Sequence, residues 1–203
     1  MTPPLVPEVK LRLAHEAVPL WQKTEEELGK MGLPPPFWAF AWAGGQALAR
    51  HVLDNPELVR GRRVIDLASG SGLVGIAAMK AGAARVLAAD IDGFSVEAIG
   101  INAETNGVSV DVTARDLLEQ PAEACDVILV GDLFYEKGLA EKVFAWLEDA
   151  EARGILTLIG DPGRSYLPRK KLKKLSEYKV QVTRDLEDCE VKLTPVWRLT
   201  RSF

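Results

Sequence analysis

Residues 66–75 read DLASGSGLVG. Gly70, Gly72 and Gly75 carry the G-x-G-x-x-G spacing of a dinucleotide loop, with an apolar GRRVI before it and VGIAAMKAGA after it. That context reads as strand, turn and helix, as a Rossmann-type loop requires. Asp66 decides what such a loop holds. A dinucleotide sets its pyrophosphate against the glycine turn and the following helix N-terminus, where amide donors and the helix dipole favour anions. A carboxylate four residues before Gly70 repels that group. It suits instead a ligand with cationic character and no phosphate.

Outward from the loop, the chain alternates short apolar runs with helical stretches. RRVIDL (62–67), ARVLAAD (84–90), VSVDVT (108–113), CDVILVGD (125–132) and GILTLIGD (154–161) each read as a buried parallel strand. LVGIAAMKAGA, FSVEAIGINAETNG and GLAEKVFAWLEDAEA read as the helices between them. YKVQVTRDL (178–186) and VKLTPVWRLTRSF (191–203) follow one another without a helix, which predicts an antiparallel pair. The expected fold is α/β: a Rossmann-like, doubly wound seven-strand methyltransferase sheet of five parallel strands plus a C-terminal antiparallel hairpin. Its ligands sit beyond the carboxyl ends of the strands.

Before the sheet, residues 8–30 read as helical with a break near Pro19, and WAGGQALARHVLDNP (42–56) as a further helix. The expected division is a helical N-terminal extension over 1–36 and one catalytic domain over 37–203. A chain of 203 residues with 47% apolar and 27% charged side chains is ordinary for a soluble globular domain. The net charge of -4 gives no general attraction to nucleic acid or anionic lipid. Two cysteines and two histidines furnish neither a disulfide framework nor a zinc motif, so no metal is expected. MTPPLVPEVKL has no secretory or transit pattern, no run is long enough to span a bilayer, and the expectation is a cytoplasmic monomer.

Carboxylates close several strands: Asp66, Asp90 with Asp92, Asp132 and Asp161, while Asp116 follows the third strand. S-adenosylmethionine has an ammonium, a sulfonium and no phosphate, so Asp66 favours it over NAD on charge alone. Asp90, about 20 residues past the loop, suits the ribose hydroxyls, with Ile91 beside it, and Asp116 suits the adenine amino group. No G-x-x-x-x-G-K-[ST] run exists for a P-loop nucleotide. The stretch resembles the class I methyltransferase signature D-x-G-x-G-x-G, with Asp66, Gly70 and Gly72 in place and Ala68 where the first glycine stands.

VILVGDLFYE (127–136) bears on the acceptor. Amino-methyltransferases of nucleobases and glutamine amides place an Asn/Asp-Pro-Pro-Tyr turn there, whereas this chain has Asp132-Leu133-Phe134-Tyr135 without proline. That form resembles the D-x-x-Y/F motif of seven-strand protein lysine methyltransferases. Lysine must shed a proton before it attacks, at a cost of about 4 kcal/mol near neutral pH. Asp132 is expected to capture and aim the ammonium, and Tyr135 to offer a ring face or hydroxyl. In PPPFWAFAWAGG (34–45), Phe37 and Phe40 read as packing residues, Trp42 as a flank to the cofactor and Trp38 as a lining of a lysine channel. In GDPGRSYLPRKKLKKL (160–175), Arg164 and Tyr166 are expected near the substrate entrance, and RKKLKKL reads as a solvated helix face. Interleaved aromatics for single-stranded nucleic acid are missing there.

Taken together, PEVKLRLAHEAVPLW, PPFWAFAWAGGQALARHVLDNP, DLASGSGLVGIAA, GDLFYE and GDPGRSYLP resemble the electron transfer flavoprotein β-subunit lysine methyltransferases, in their bacterial form. The resemblance implies methyl transfer to lysine ε-amines of that β subunit, in the loop that docks with dehydrogenases. It puts Asp132 and Tyr135 at the family's D-x-x-Y/F positions and Asp66, Gly70 and Asp90 at its cofactor positions. Methyl transfer to another protein or to a small-molecule amine, a silent cofactor-binding module and, last, a dehydrogenase are the competing readings.

Overall fold

A computed structural model describes residues 1–13, 30, 35–182 and 190–200. Seven strands form one sheet in the order β3-β2-β1-β4-β5-β7-β6. They are β1 (Arg63–Leu67), β2 (Arg85–Ala89), β3 (Asp111–Thr113), β4 (Val127–Gly131), β5 (Leu156–Gly160), β6 (Leu172–Gln181) and β7 (Val191–Leu199). The first five run parallel, β7 lies antiparallel to β5, and β6 pairs antiparallel with β7 at the sheet edge. This is the seven-strand methyltransferase sheet expected from the sequence. The strand order reverses between β1 and β4, and a crevice opens at their carboxyl ends.

Among the described residues, four complete helices cover the two faces: α1 (Ala43–Asp54), α2 (Leu73–Lys80), α3 (Gly93–Thr105) and α4 (Lys137–Ala152). Strand alternation divides the core accordingly. Val64, Val127, Leu129 and Leu158 pack with α1 and α2, while Ile65, Ile128, Val130 and Ile159 pack with α4. Asp66 follows the same alternation and points to the α2 side, where only Gly75 makes room. A Cβ at Gly75 would stand 3.1 Å from Asp66 Oδ2 and from Val86 Cγ1.

Three expectations change. Residues 8–13 are not helical. Val9-Lys10-Leu11-Arg12-Leu13 alternates apolar and charged residues, the period of extended chain. Val6, Val9 and Leu11 are buried in the core beside α1 and α2. Asn106 Oδ1, at the C-cap of α3, and Asn102 Oδ1 on α3 accept from the Lys10 and Arg12 amides at 2.9 and 2.7 Å. Most of the remaining extension, including the break at Pro19, lies outside the described residues.

RKKLKKL is not a helix face either. It forms a short 3-10 turn, Arg169–Lys171, and then enters β6, which therefore starts six residues before the expected Tyr178. A bulge between Lys174 and Ser176 leaves Leu175 without a partner on β7. That extra residue puts Leu172 and Leu175 three apart and so imitates a helical period. Exposed lysines on an outer strand also discourage pairing with another chain. Last, β3 is shorter than the expected 108–113.

Candidate active site

A cleft of about 520 Å³ lies over the carboxyl ends of β1, β2 and β4, a size that suits a small-molecule ligand. Trp42, Asp66, Ala68, Gly70, Asp90, Ile91, Asp116, Asp132, Tyr135 and Arg164 all line it. Gly72, Trp38 and Tyr166 are not among its lining residues. Gly72 starts α2 at φ 83° and packs against Ile99. Trp38 stacks on Phe94 with ring centres 6.3 Å apart. Tyr166 is exposed, and its amide donates to the Phe134 carbonyl at 3.2 Å. Phe37 and Phe40, which read as packing residues, line the cleft, with Leu117, Leu118 and Leu133 supplying more apolar wall.

The glycine turn is built from alternating left-handed backbone: φ is 52° at Ala68, 55° at Gly70 and 83° at Gly72. Ala68 is thus under strain at the position where the signature has glycine. Two carboxylates pin the turn. Asp66 Oδ2 accepts from the Gly75 amide at 2.8 Å and the Ser69 hydroxyl at 2.5 Å. Asp90 Oδ2 accepts from the Gly70 amide at 2.8 Å, and its Oδ1 from the Asp92 amide at 3.0 Å. Burial pushes the Asp66 carboxyl up to about 6, and the hydrogen bonds from Ser69 and Gly75 only partly offset it. Burial raises Asp90 as well. Both anions gain from a cation or from hydroxyl donors.

Asp92 and Asp116 also serve as caps. Asp92 accepts from the Phe94 amide at the start of α3, and Asp116 from the Leu118 amide in the turn after β3.

Asp132 sits at the tip of β4 with φ 54° and is almost fully buried. Trp42, at the N-cap of α1, offers no side-chain hydrogen bond to the helix. Asp132 supplies the cap from across the fold: its Oδ2 accepts from the Gly44 amide and, at 3.1 Å, from the Gly45 amide. Its Oδ1 accepts from Arg164 Nε at 3.1 Å and Nη2 at 2.7 Å. The Arg164 guanidinium carbon lies 5.9 Å from the centre of the Trp42 ring. Trp42 is itself fixed by a 2.8 Å bond from its indole N–H to the Phe37 carbonyl. The Tyr135 ring packs at 5.6 Å on Phe37, facing the cleft.

Asp161 carried no assigned role in the sequence reading beyond closing β5. Its Oδ1 accepts from the Gly163 and Arg164 amides at 2.6 and 2.7 Å, so it shapes the turn that aims Arg164 at Asp132. Burial pushes the Asp161 carboxyl up to about 6, and the negative charge of Asp132 adds to the effect. Its position at a strand tip, matching the other three acids, was the signal available.

Several solved structures with this sheet carry methyltransferase names. Ribosomal protein L11 methylase from Lactobacillus delbrueckii subsp. bulgaricus superposes with a TM-score of 0.54 at 21% identity, over 80% of this chain and 81% of that one. Magnesium protoporphyrin IX methyltransferase from Synechocystis, solved with bound S-adenosylmethionine, does so with a TM-score of 0.53 at 15% identity, over 77% and 78%. The fold is that of the S-adenosylmethionine-dependent methyltransferases. Residues 47–159 match the family of ribosomal protein L11 methyltransferase (PrmA). The electron transfer flavoprotein beta subunit lysine methyltransferase of Xenopus laevis is 38% identical over 200 residues, covering 96% of this chain and 80% of the relative. The chain belongs to the family of electron transfer flavoprotein beta subunit lysine methyltransferases, and it is a methyltransferase.

Proposed function

We propose that the protein transfers methyl groups from S-adenosylmethionine to lysine ε-amines of a protein substrate, the electron transfer flavoprotein β subunit. The observation that carries this reading is the 38% identity to a methyltransferase of that name along 96% of the chain. The cleft supports it. Its walls are largely apolar, and its acids stand where a phosphate-free, cationic cofactor would meet them.

Asp66 and the Ala68–Gly72 turn would hold the methionyl end of the cofactor, and Asp90 the ribose hydroxyls. Ile91, Asp116 and the leucines after β3 would hold the adenine, with Trp42 closing the other side. Bound there, S-adenosylmethionine supplies an electrophilic methyl group. The chain's own part is to position the amine and keep the site dry. Tyr135 and Phe37 form an aromatic wall suited to the aliphatic stem of a lysine. Both oxygens of Asp132 already accept two hydrogen bonds, which fills the usual capacity of a carboxylate. Asp132 therefore works in this proposal as the anchor that joins α1, the β4 turn and Arg164. Its expected capture of an ammonium gives way to that role. In this reading Trp38, Phe94 and Tyr166, outside the cleft lining, would meet the protein around the target lysine.

The same proposal makes the chain a bacterial form of the family, a placement that rests on the sequence stretches quoted above. It also keeps the cytoplasmic location, which the buried free thiol of Cys125 supports. Among the described residues no helix is long and apolar enough to cross a membrane.

Two measurements test the function. Calorimetry should show S-adenosylhomocysteine binding to the wild-type protein and at least tenfold weaker binding to Asp90→Ala. Intact-mass analysis of the flavoprotein β subunit after incubation with S-adenosylmethionine should show added methyl groups. An unmodified β subunit, with cofactor binding intact, would remove that substrate.

A further inference from the structure

The contacts of Arg164 bear on how a lysine loses its proton in this site. Its guanidinium makes two hydrogen bonds to one oxygen of Asp132, at 3.1 and 2.7 Å, and lies over Trp42. The Arg164 side chain is only 21% exposed and that of Asp132 8%. The pair is therefore poorly screened by water. The geometry is imposed from behind, because buried Asp161 holds the Arg164 amide. On the other oxygen of Asp132 stands the N-terminus of α1, a second source of positive potential.

A bare carboxylate at this tip would stabilise an approaching lysine as ammonium, the form that cannot attack. Neutralised by Arg164, it offers no such gain. We propose that Arg164 sets the protonation state of the target lysine, cancelling the charge of Asp132 so that the cleft receives the free amine. This deepens the lysine methyltransferase reading and rests on it. The proton goes to water as the lysine enters, leaving the nitrogen lone pair free; no protein base is consumed.

Among the described residues, the other charged groups around the cleft do not replace Arg164; Asp161, which faces Asp132, adds negative charge and holds the Gly163 and Arg164 amides. Asp66, Asp90 and Asp92 at the tips of β1 and β2 hold backbone amides, as does Asp116 after β3. Arg115 is paired with Glu123 at 2.6 Å. Tyr135 sits on Phe37. A guanidinium is also the cation suited to the task, since it stays protonated across the working pH range.

The test is the pH dependence of the single-turnover rate on the flavoprotein β subunit with both substrates saturating, which reports ionisations in the bound complex. Wild-type protein, Arg164→Gln and Arg164→Lys are compared. Arg164→Gln should move the acid limb to higher pH by roughly one unit or more, with the rate recovering at alkaline pH. Arg164→Lys, which retains the charge, should stay near wild type. At pH 7, with S-adenosylhomocysteine present, the β subunit should bind Arg164→Gln more tightly than wild type in calorimetry, because the ammonium then meets a carboxylate without its guanidinium, held only by the α1 N-terminus. A uniform loss of rate at every pH, an unmoved acid limb, or weaker binding would overturn the proposal while leaving the lysine activity of the wild type in place. A wild-type protein that modifies no lysine would overturn the function reading and this inference with it.

Discussion

The Gly44 amide donates to the carboxylate of Asp132, 88 positions away in sequence. It ties the start of α1 directly to the turn after β4. The closeness is possible because both flanking elements lack side chains there. A Cβ on Gly44 would overlap the Gly160 carbonyl oxygen and the Asp132 carboxylate, and a Cβ on Gly160 would overlap the Gly44 carbonyl. The cleft's shape thus depends on backbone packed against backbone.

Two neighbouring glycines should therefore respond in opposite ways to the same substitution. Gly44→Ala forces α1 away from β5 and should cost about 2–3 kcal/mol. At Gly45 an added Cβ meets nothing nearer than Val74 Cγ2 at 3.9 Å. Gly45→Ala should then stabilise the helix by about 0.5–1 kcal/mol. Urea unfolding of the two variants checks the sign of each.

Removing the carboxylate of Asp132 strips the cap from α1 and leaves the Arg164 guanidinium without it in a partly buried site. Asp132→Ala should lower stability by about 3 kcal/mol. In the fraction that folds, S-adenosylhomocysteine should still bind while methyl transfer is lost. Retained turnover would show that the anchor is dispensable for chemistry.

Ala68 holds a left-handed φ of 52° that a Cβ disfavours. Ala68→Gly relieves about 1–2 kcal/mol of local strain and returns part of it as greater freedom of the unfolded chain. A net gain of about 0.5 kcal/mol, seen as a rise of about 1–2 °C in Tm, is expected by calorimetry. A fall in Tm would place the strain elsewhere.

Asp66 should make cofactor affinity depend on pH. Its folded value of about 6 stands above the ordinary 3.8. Between those two values the folded state binds more protons than the unfolded one, so stability without ligand falls as pH rises from about 4 to 6. The anion that forms is the species that attracts the cofactor's ammonium. S-adenosylhomocysteine affinity should accordingly weaken as pH drops through 6. In Asp66→Asn it should be weak and flatter with pH. Calorimetry across pH 5–7.5 decides; a constant wild-type affinity would separate Asp66 from the ligand.

The sheet was legible because short continuous apolar runs and the glycine turn are local patterns that tertiary contacts seldom override. The five parallel strands, the final hairpin and the acids at the strand tips all came from such patterns. What escaped depended on partners remote in sequence. The bulge at Leu175 becomes visible only when β6 is set against β7. Extended residues 9–13 need Asn102 on α3 and Asn106 at its C-cap to hold the Arg12 and Lys10 amides. The saturation of Asp132 required α1 and Arg164 to be in place, and spacing along the chain says nothing of how many hydrogen bonds a carboxylate already accepts. Trp38 and Tyr166 lie outside the cleft lining, since neighbours in an irregular segment face different ways.

The most direct test of the function uses S-adenosylmethionine labelled in its methyl group. The purified protein is incubated with electron transfer flavoprotein and the label is mapped by mass spectrometry. The account predicts methyl-lysine on the β subunit, abolished in Asp66→Asn. Label confined to small molecules or to residues other than lysine, with the cofactor demonstrably bound, would contradict it.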